Sequence, residues 1–407
     1  MQGSALRQPR RVLGLTAAGA LVLSFGALVA PAHADGPGVG SPWVITLGDS
    51  YISGEAGRWA GNTNNGEQYH DALGSTAYFD NANHSAEQIV RCHRSASDEA
   101  YVGTVSGYNL ACSGAKTGTF TDGDGNFKPG LDFYDDGAGH QGQAKMLQTF
   151  ATTHNVKLVT VSIGGNNFGF AGIVQQCVTD FLYSPSWWPD YCNDDSSVTA
   201  NFTSSNITTQ MTNIKNAILN VRNAMTNAGY SSTMYTILVQ TYMSPIPNSS
   251  GFRYSQSGYT RQSTGGCGFW NNDANWANSY ALPNINNAVK NAVTQAGLTN
   301  TRVMELASAF NGRRLCENTV GLLEERNIAN WRSTGAVDNS EWVQQIRTLT
   351  TLFPPYQLQE DAHPNYWGQL ALRNCFRQAY NNGVPRGGTC SRGIGLNANG
   401  EPNMSLY

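Results

Sequence analysis

Charged residues are scarce in this sequence: they make up 13% of its 407 residues, and the formal net charge is only −3. This composition gives no basic footprint, so we exclude a nucleic-acid partner. The chain also lacks a linker-like change of composition, an internal repeat and any pair of cysteines at C-x-x-C metal spacing. These absences favour a single elaborated domain that acts on a small molecule or a neutral polymer.

Long apolar stretches are lacking too, apart from one near the N-terminus. Residues 12–29 are apolar, follow three arginines and precede a small-x-small sequence that ends at Ala34. This order is typical of a signal peptide, residues 1–34, cleaved after Ala34. A membrane anchor fits less well, because glycines interrupt the stretch and Pro31 ends it. We therefore expect a secreted, extracellular chain of residues 35–407, exported by either the Sec or the Tat route.

All eight cysteines follow that cleavage site, which suits an oxidising compartment and an even number of disulfide-bonded cysteines. Many pairings are possible, and sequential pairing is the simplest because it closes short loops. The expected pairs are Cys92 with Cys112, Cys177 with Cys192, Cys267 with Cys316, and Cys375 with Cys390.

Short apolar runs alternate with longer amphipathic segments along the chain. The runs at 43–47, 157–163, 234–240 and 302–306 are predicted strands, and the segments at 207–228 and 276–296 are predicted helices. This alternation predicts a parallel sheet covered on both faces, with ligands bound at the carboxyl ends of the strands. Stretches rich in Gly, Asn, Ser and aromatic residues are predicted surface insertions: 61–90, 120–140, 177–205 and 244–275.

Candidate catalytic residues follow two of these strands and precede a predicted helix at 366–380. Ester hydrolysis needs a nucleophile, a base and donors for the oxyanion of the tetrahedral intermediate. The candidates are Ser50, Gly114, Asn166 and His363. Each residue alone would more often belong to an ordinary turn. Their joint occurrence favours a serine hydrolase.

Four sequence blocks carry a family resemblance. Residues 48–51 (GDSY), 108–117 (YNLACSGAKT), 164–167 (GGNN) and 360–365 (EDAHPN), in this order, resemble the SGNH hydrolases, the GDSL-type esterases and lipases. Residues 92–95 and 109–114 are similar to the extracellular actinomycete branch of that family. The resemblance implies a flavodoxin-like three-layer α/β/α sandwich with a parallel sheet and long loop insertions. It also implies acyl-ester hydrolysis through an acyl-enzyme, with no metal and no organic cofactor.

Roles for the individual residues are also implied by the resemblance. Ser50 corresponds to the nucleophile and His363 to the general base. The backbone amides of Ser50 and Gly114, with the Asn166 side chain, correspond to the oxyanion hole.

Three positions depart from the family pattern. The family has Asp-x-x-His, whereas the residue three before His363 is Glu360 and the residue two before it is Asp361. Spacing favours Glu360 as the group that orients His363, since residues i and i+3 share one face of a turn. Asp361 and a backbone carbonyl are the alternatives. Tyr51 also replaces the usual Leu, and Asn167 replaces the usual Asp.

The substrate is an ester whose identity these blocks leave open. The layout and the Trp-rich insertions look similar to secreted phospholipases of the streptomycete A/B type, so we expect fatty-acyl esters of phospholipids and lysophospholipids. A monomer that transiently contacts a membrane or micelle surface is expected. The alternatives are a feruloyl or acetyl esterase on plant polysaccharide and a carbohydrate-binding protein on a degenerate hydrolase scaffold.

Two further features of the insertions have competing interpretations. Residues 122–126 (DGDGN) resemble the start of a calcium loop, but Phe127 and Phe133 break the EF-hand pattern, so an Asp/Gly turn is expected. The aromatic pairs at 187–188 and 269–270 could contact lipid, a sugar or a phenolic ring. Burial beneath a long loop is the expected outcome for both pairs.

Overall fold

The computed structural model describes residues 35–347 and 357–407, which belong to one compact unit. The predicted signal peptide lies outside the described residues. The strands are β1 (Pro42–Gly48), β2 (Ser106–Asn109), β3 (Phe120–Thr121), β4 (Phe127–Lys128), β5 (Asn155–Ser162), β6 (Thr236–Gln240), β7 (Thr301–Glu305), β8 (Gly388–Leu396) and β9 (Pro402–Leu406). The α-helices are α1 (Ser50–Ser53), α2 (Gln143–Ala151), α3 (Phe170–Tyr183), α4 (Ser196–Thr199), α5 (Ser204–Asn227), α6 (Thr260–Ser263), α7 (Asn271–Trp276), α8 (Leu282–Ala296), α9 (Ala336–Asn339), α10 (Gln357–Glu360) and α11 (Tyr366–Tyr380).

Seven strands form one sheet in the order β2-β1-β5-β6-β7-β8-β9. All neighbours are parallel except β8 and β9, which pair antiparallel. The parallel part β2-β1-β5-β6-β7, when its strands are renumbered in chain order, has the flavodoxin-like order 2-1-3-4-5 of doubly wound folds. The protein therefore has the expected α/β fold with a mostly parallel sheet. Strands β3 and β4 form a separate hairpin.

Burial explains why the central strands read as apolar runs. The last five residues of β1, and four of the five in β6, are buried, and β5 is buried except at Lys157. Helix α5 packs against both α2 and α8, and α11 packs on β8 and β9. A sheet covered by helices needs apolar side chains on both faces. Within residues 35–347 and 357–407, no helix combines the length and hydropathy needed to cross a membrane.

Four disulfides join the sequential cysteine pairs, as expected. They connect Cys92 to Cys112, Cys177 to Cys192, Cys267 to Cys316, and Cys375 to Cys390. The loops they close span 15 to 49 residues of sequence. No bridge encloses or overlaps another, so each braces one local segment.

Candidate active site

A sharp turn after β1 presents Ser50 at the carboxyl edge of the sheet. Gly48 has φ +135°, and a Cβ there would lie 1.9 Å from the Ser162 carbonyl oxygen of the neighbouring strand. Only glycine fits this close approach. Asp49 then donates its N–H to the same carbonyl at 2.9 Å and caps α1 by accepting the Tyr51 N–H at 3.1 Å. Ser50 thus occupies the first position of a short helix.

Ser50 and His363 meet although 313 residues separate them. The Ser50 Oγ lies 2.6 Å from His363 Nε2, and His363 Nδ1 lies 2.9 Å from the main-chain carbonyl oxygen of Asp361. A carbonyl can only accept, so Nδ1 carries the hydrogen and Nε2 accepts the serine proton. The Asp361 carboxylate itself accepts the Arg347 N–H at 3.3 Å. The geometry is a Ser–His dyad oriented by a backbone carbonyl.

The assignment of Glu360 as the group that orients His363 is wrong. Its carboxylate accepts hydrogen bonds from Trp59 Nε1, at 2.8 Å, and from the Tyr78 hydroxyl. The spacing argument assumed one helical turn, but α10 ends at Glu360 and Ala362 has φ +60°. This left-handed residue turns the chain, so that the side chains of residues 360 and 363 do not share a face.

Burial controls the protonation of the site. It lowers the pKa of His363 below its ordinary value, while the carboxylate of Glu55 acts in the opposite direction. Glu55 is itself buried and pairs with His93 Nδ1 at 2.7 Å. Burial also raises the pKa of Glu360 to about 7 and the pKa of Asp361 well above its usual range. A largely neutral His363 is the form that can accept a proton from serine.

The predicted oxyanion donors lie around the serine. Ser50 and Asn166 line the same cavity. One amide hydrogen of Asn166 is donated to the Ala115 carbonyl at 3.0 Å, which orients the side chain and leaves the second hydrogen for a ligand. Gly114 adjoins this carbonyl and has φ +79°, a conformation that favours glycine. The structure therefore brings Ser50, Asn166 and His363 together, and Gly114 directly precedes Ala115, to which Asn166 is hydrogen-bonded.

Tyr242, just after β6, is a residue that the sequence interpretation missed. Its hydroxyl accepts the Gly165 N–H at 2.9 Å and donates to the Asp49 carboxylate. Burial raises the pKa of Asp49 to about 7. The tyrosine thus ties the serine turn to the Asn166 turn. Its position after a predicted strand was the only signal in the sequence.

Two departures from the family pattern have structural roles. The Tyr51 hydroxyl donates to the Ala362 carbonyl at 3.2 Å and so connects α1 to the loop of the catalytic candidate histidine. Asn167 accepts the Thr117 N–H at 3.1 Å and donates to the Thr117 hydroxyl at 2.9 Å. These side chains therefore connect sequence blocks that are far apart along the chain.

An apolar cavity opens beside Ser50. It encloses about 850 Å³, its open mouth included. Most of its wall comes from α3, from the loop after β6 and from the α7–α8 region. Its apolar lining includes Phe170, Ile173, Val174, Phe202, Trp276 and Ile285. Such a cavity suits the hydrocarbon part of a ligand.

The structure of the insertions tests the expectations for the two aromatic pairs and for the DGDGN segment. Phe269 and Trp270 are buried as expected, whereas Trp187 and Trp188 are exposed, so the expectation for that pair is wrong. The Asp122 carboxylate accepts hydrogen bonds from the backbone of Asp124 and from Asn126, which makes the DGDGN segment a hairpin turn. Among the residues that the structure describes, no group of three His, Cys, Asp or Glu could hold a metal ion.

A Ser–His pair at the carboxyl edge of a parallel sheet, with orienting and donor groups around it, defines the class of serine hydrolases. The sequence model of the GDSL-like lipase/acylhydrolase family matches residues 44–372, and the chain belongs to this family. It is a carboxylic ester hydrolase.

Comparison with solved structures finds proteins of low sequence identity to this chain. An extracellular lipase from Streptomyces rimosus is 16% identical, with a TM-score of 0.41, over 81% of this chain and 95% of that one. A phospholipase A1 from Streptomyces albidoflavus NA297 is 17% identical, with a TM-score of 0.40, over the same shares. A family two carbohydrate esterase from Clostridium thermocellum is 13% identical, with a TM-score of 0.34, over 84% of this chain and 66% of that one. No curated protein matches the chain by sequence.

Proposed function

We propose that this esterase hydrolyses fatty-acyl esters of phospholipids and lysophospholipids, as a monomer with a single hydrolase domain, residues 35–407. The reaction is of the phospholipase A/B type and passes through an acyl-enzyme on Ser50. The single observation that carries this proposal is the apolar cavity that Ser50 helps to line.

The proposed mechanism has two halves. His363 Nε2 takes the Ser50 proton as Oγ attacks the ester carbonyl, and the Asp361 carbonyl stabilises the imidazolium through Nδ1–H. The amides of Ser50 and Gly114 and the Asn166 side chain stabilise the oxyanion. His363 then protonates the leaving alcohol. Water attacks the acyl-enzyme, gives its proton to His363, and releases the fatty acid as Ser50 regains its hydrogen.

The size and chemistry of the cavity favour a long acyl group over the competing substrates. An acetyl group is too short to contact the apolar wall that extends from Ser50 to residues such as Trp276 and Ile285. A feruloyl ring carries a phenol and a methoxy group that require polar partners when buried. The walls of the cavity are mainly aromatic and aliphatic, as an alkyl chain requires.

One cationic side chain near the Gly114 loop, Lys128, supports a substrate that carries a phosphate. Lys128 is buried, and its Cε lies 3.5 Å from the point where a Cβ on Gly114 would stand. Its Nζ donates to the Arg91 carbonyl at 2.9 Å, and Gln359 donates to the same carbonyl at 2.8 Å. The Arg91 guanidinium itself pairs with Asp124 at 3.3 Å. The Lys128 Nζ lies 3.7 Å from the same Gly114 point, so Lys128 supplies the cation beside this loop that can attract a phosphate.

We also propose that the chain is exported and that residues 1–34 are removed. The four disulfides support an oxidising destination. Mass spectrometry of the protein from the culture medium tests this: a mature N-terminus at Asp35 is expected, and retention of residues 1–34 in the cell fraction would contradict it.

A substrate panel tests the proposed function. The purified mature protein and its Ser50→Ala form are incubated with phosphatidylcholine, lysophosphatidylcholine, triglyceride, p-nitrophenyl esters and methyl ferulate. We expect release of fatty acid from the phospholipids, abolished in Ser50→Ala. Turnover confined to ferulate or acetyl esters would replace the lipid substrate, and no turnover at all would favour a carbohydrate-binding protein.

The apolar cavity beside Ser50, which we call the acyl cavity, has its own test. Ala281 lines the cavity, and Ala281→Leu adds three carbon atoms to its wall. We expect kcat/KM for long-chain p-nitrophenyl esters to fall by about tenfold relative to the butyrate ester, since one methylene of misfit costs roughly 1–3 kcal/mol. Equal effects on both chain lengths would show that the acyl chain lies elsewhere.

A further inference from the structure

Three aromatic side chains project into solvent at the end of α3. Tyr183, Trp187 and Trp188 are 86%, 81% and 74% exposed. We call these three residues the aromatic lip. Nearby Phe181 and Trp270 are completely or almost completely buried, so the lip is not a consequence of a poorly packed region. Amphipathic Trp and Tyr rings, rather than purely aliphatic residues, are typical of protein surfaces at a lipid–water interface.

The loop that carries the lip is held in place by polar contacts. The Ser184 hydroxyl donates to the Asp180 carbonyl, accepts the Asp190 N–H at 2.9 Å and accepts Trp270 Nε1 at 3.2 Å. One buried hydroxyl therefore fixes both ends of the Trp187–Trp188 turn. A loop that is already ordered loses little conformational entropy when it binds.

The same loop is tied to the acyl cavity. Cys177 lines the cavity and is bonded to Cys192 at the far end of the loop. Asp273 also lines the cavity, and its carboxylate accepts the Asn193 N–H at 3.1 Å. Helix α3 thus contributes a cavity wall through its first half and the lip through its end. The lip is structurally continuous with the place where the acyl chain is proposed to bind.

Charge around the lip selects among lipid surfaces. No Lys or Arg occurs between Lys157 and Lys215, whereas this segment contains four aspartates. Anionic bilayers attract basic segments and repel acidic ones. An acidic loop with exposed Trp and Tyr side chains therefore fits an electrically neutral, zwitterionic surface.

We infer that the aromatic lip is an interfacial anchor that docks the enzyme on a zwitterionic lipid surface. The inference deepens the proposed function, on which it rests for the identity of the acyl substrate. Docking through the lip brings the cavity wall next to the lipid from which an acyl chain is taken.

Binding is measured with a chain that cannot hydrolyse the lipid. The mature Ser50→Ala protein is sedimented with phosphatidylcholine vesicles and with vesicles that also contain phosphatidylserine. We expect Trp187→Ser with Trp188→Ser to lower the partition coefficient on phosphatidylcholine by about tenfold or more, since each ring withdraws a large apolar area from water. Tyr407→Ser, which removes another aromatic side chain that is 71% exposed, is the matched control and should bind like its parent.

Activity supplies the second readout. In chains with Ser50 intact, the ratio of phosphatidylcholine turnover to turnover of a monomeric p-nitrophenyl ester should fall about tenfold in the double Trp variant and stay level in Tyr407→Ser. Turnover of the soluble ester also shows that the variant is folded.

The outcomes separate the two proposals. Vesicle binding that depends on the lip, without phospholipid hydrolysis, would retain the anchor and overturn the proposed function. Equal vesicle binding by the double variant and its parent would overturn the anchor, as would stronger binding to phosphatidylserine vesicles. Retention on insoluble xylan that depends on the lip, with no vesicle binding, would replace the anchor by a carbohydrate platform.

Discussion

Replacing Asp361 with Asn removes a carboxylate but keeps the main-chain carbonyl to which His363 Nδ1 donates at 2.9 Å. Both carboxylate oxygens lie 3.3 Å from the Arg347 amide nitrogen, and burial raises the pKa of Asp361 well above its usual range. The variant therefore loses little charge near neutral pH. We expect kcat/KM to remain within about threefold of the parent, which corresponds to roughly 0.6 kcal/mol of transition-state stabilisation.

A catalytic carboxylate would give a very different result. Where an acid holds the imidazole in its reactive tautomer, replacement by the amide lowers kcat by about 10⁴, or roughly 5 kcal/mol. The two alternatives for His363 thus differ by more than three orders of magnitude. We expect the same small effect on kcat/KM for Glu360→Gln, because the Glu360 carboxylate contacts Trp59 and Tyr78 rather than the histidine.

Initial rates on soluble p-nitrophenyl butyrate, from about pH 5 to about pH 9, measure the effect across the His363 titration. Thermal unfolding of each variant separates lost catalysis from lost structure. A loss of 10³ or more in Asp361→Asn, in a protein that still unfolds at the parent temperature, would refute the carbonyl-oriented dyad.

Three further predictions concern the donors and the titrating groups. Asn166→Ala should lower kcat by about 10²–10³ in steady-state assays, with a much smaller change in KM. The pH profile of kcat/KM should rise through the His363 pKa, which burial places below its ordinary value. Glu55→Gln should move this rise to lower pH, because the Glu55 carboxylate favours the imidazolium. Burial raises the pKa of Asp49 to about 7, so between about pH 4 and about pH 7 the folded state holds a proton that the unfolded chain has released. The free energy of unfolding should therefore fall as the pH rises through this range, by up to roughly 4 kcal/mol. The free energy of unfolding of Asp49→Asn, measured in urea, should lack this decrease with pH. The same pH dependence in the variant and its parent would contradict the prediction.

The parts of the fold that could be predicted from sequence are those in which local pattern and burial agree. The runs at 43–47 and 157–163 lie within β1 and at the end of β5, and the predicted helix at 366–380 is α11. Strand β8, Gly388–Leu396, was missed because its glycines and polar residues lack apolar alternation. Its position depends on pairing with β9 and with β7 at the edge of the sheet.

The site follows the same division. Ser50 and His363 lie in recognisable sequence blocks, and the structure places their side chains in contact. The role of Glu360 was wrongly predicted because the backbone turn at Ala362 depends on tertiary packing. Tyr242 was missed because its partner Asp49 is 193 residues away. Contacts at such separations have no local sequence signal.

The four sequential disulfides have a consequence for biogenesis. The chain between the two cysteines of each pair contains no other cysteine. If the chain crosses the membrane unfolded and N-terminus first, as in export by the Sec route, both thiols of one pair are exposed before the next pair arrives. Incorrect partners are absent at the moment of oxidation, so correct connectivity can follow from the order of translocation, with little need for disulfide isomerisation.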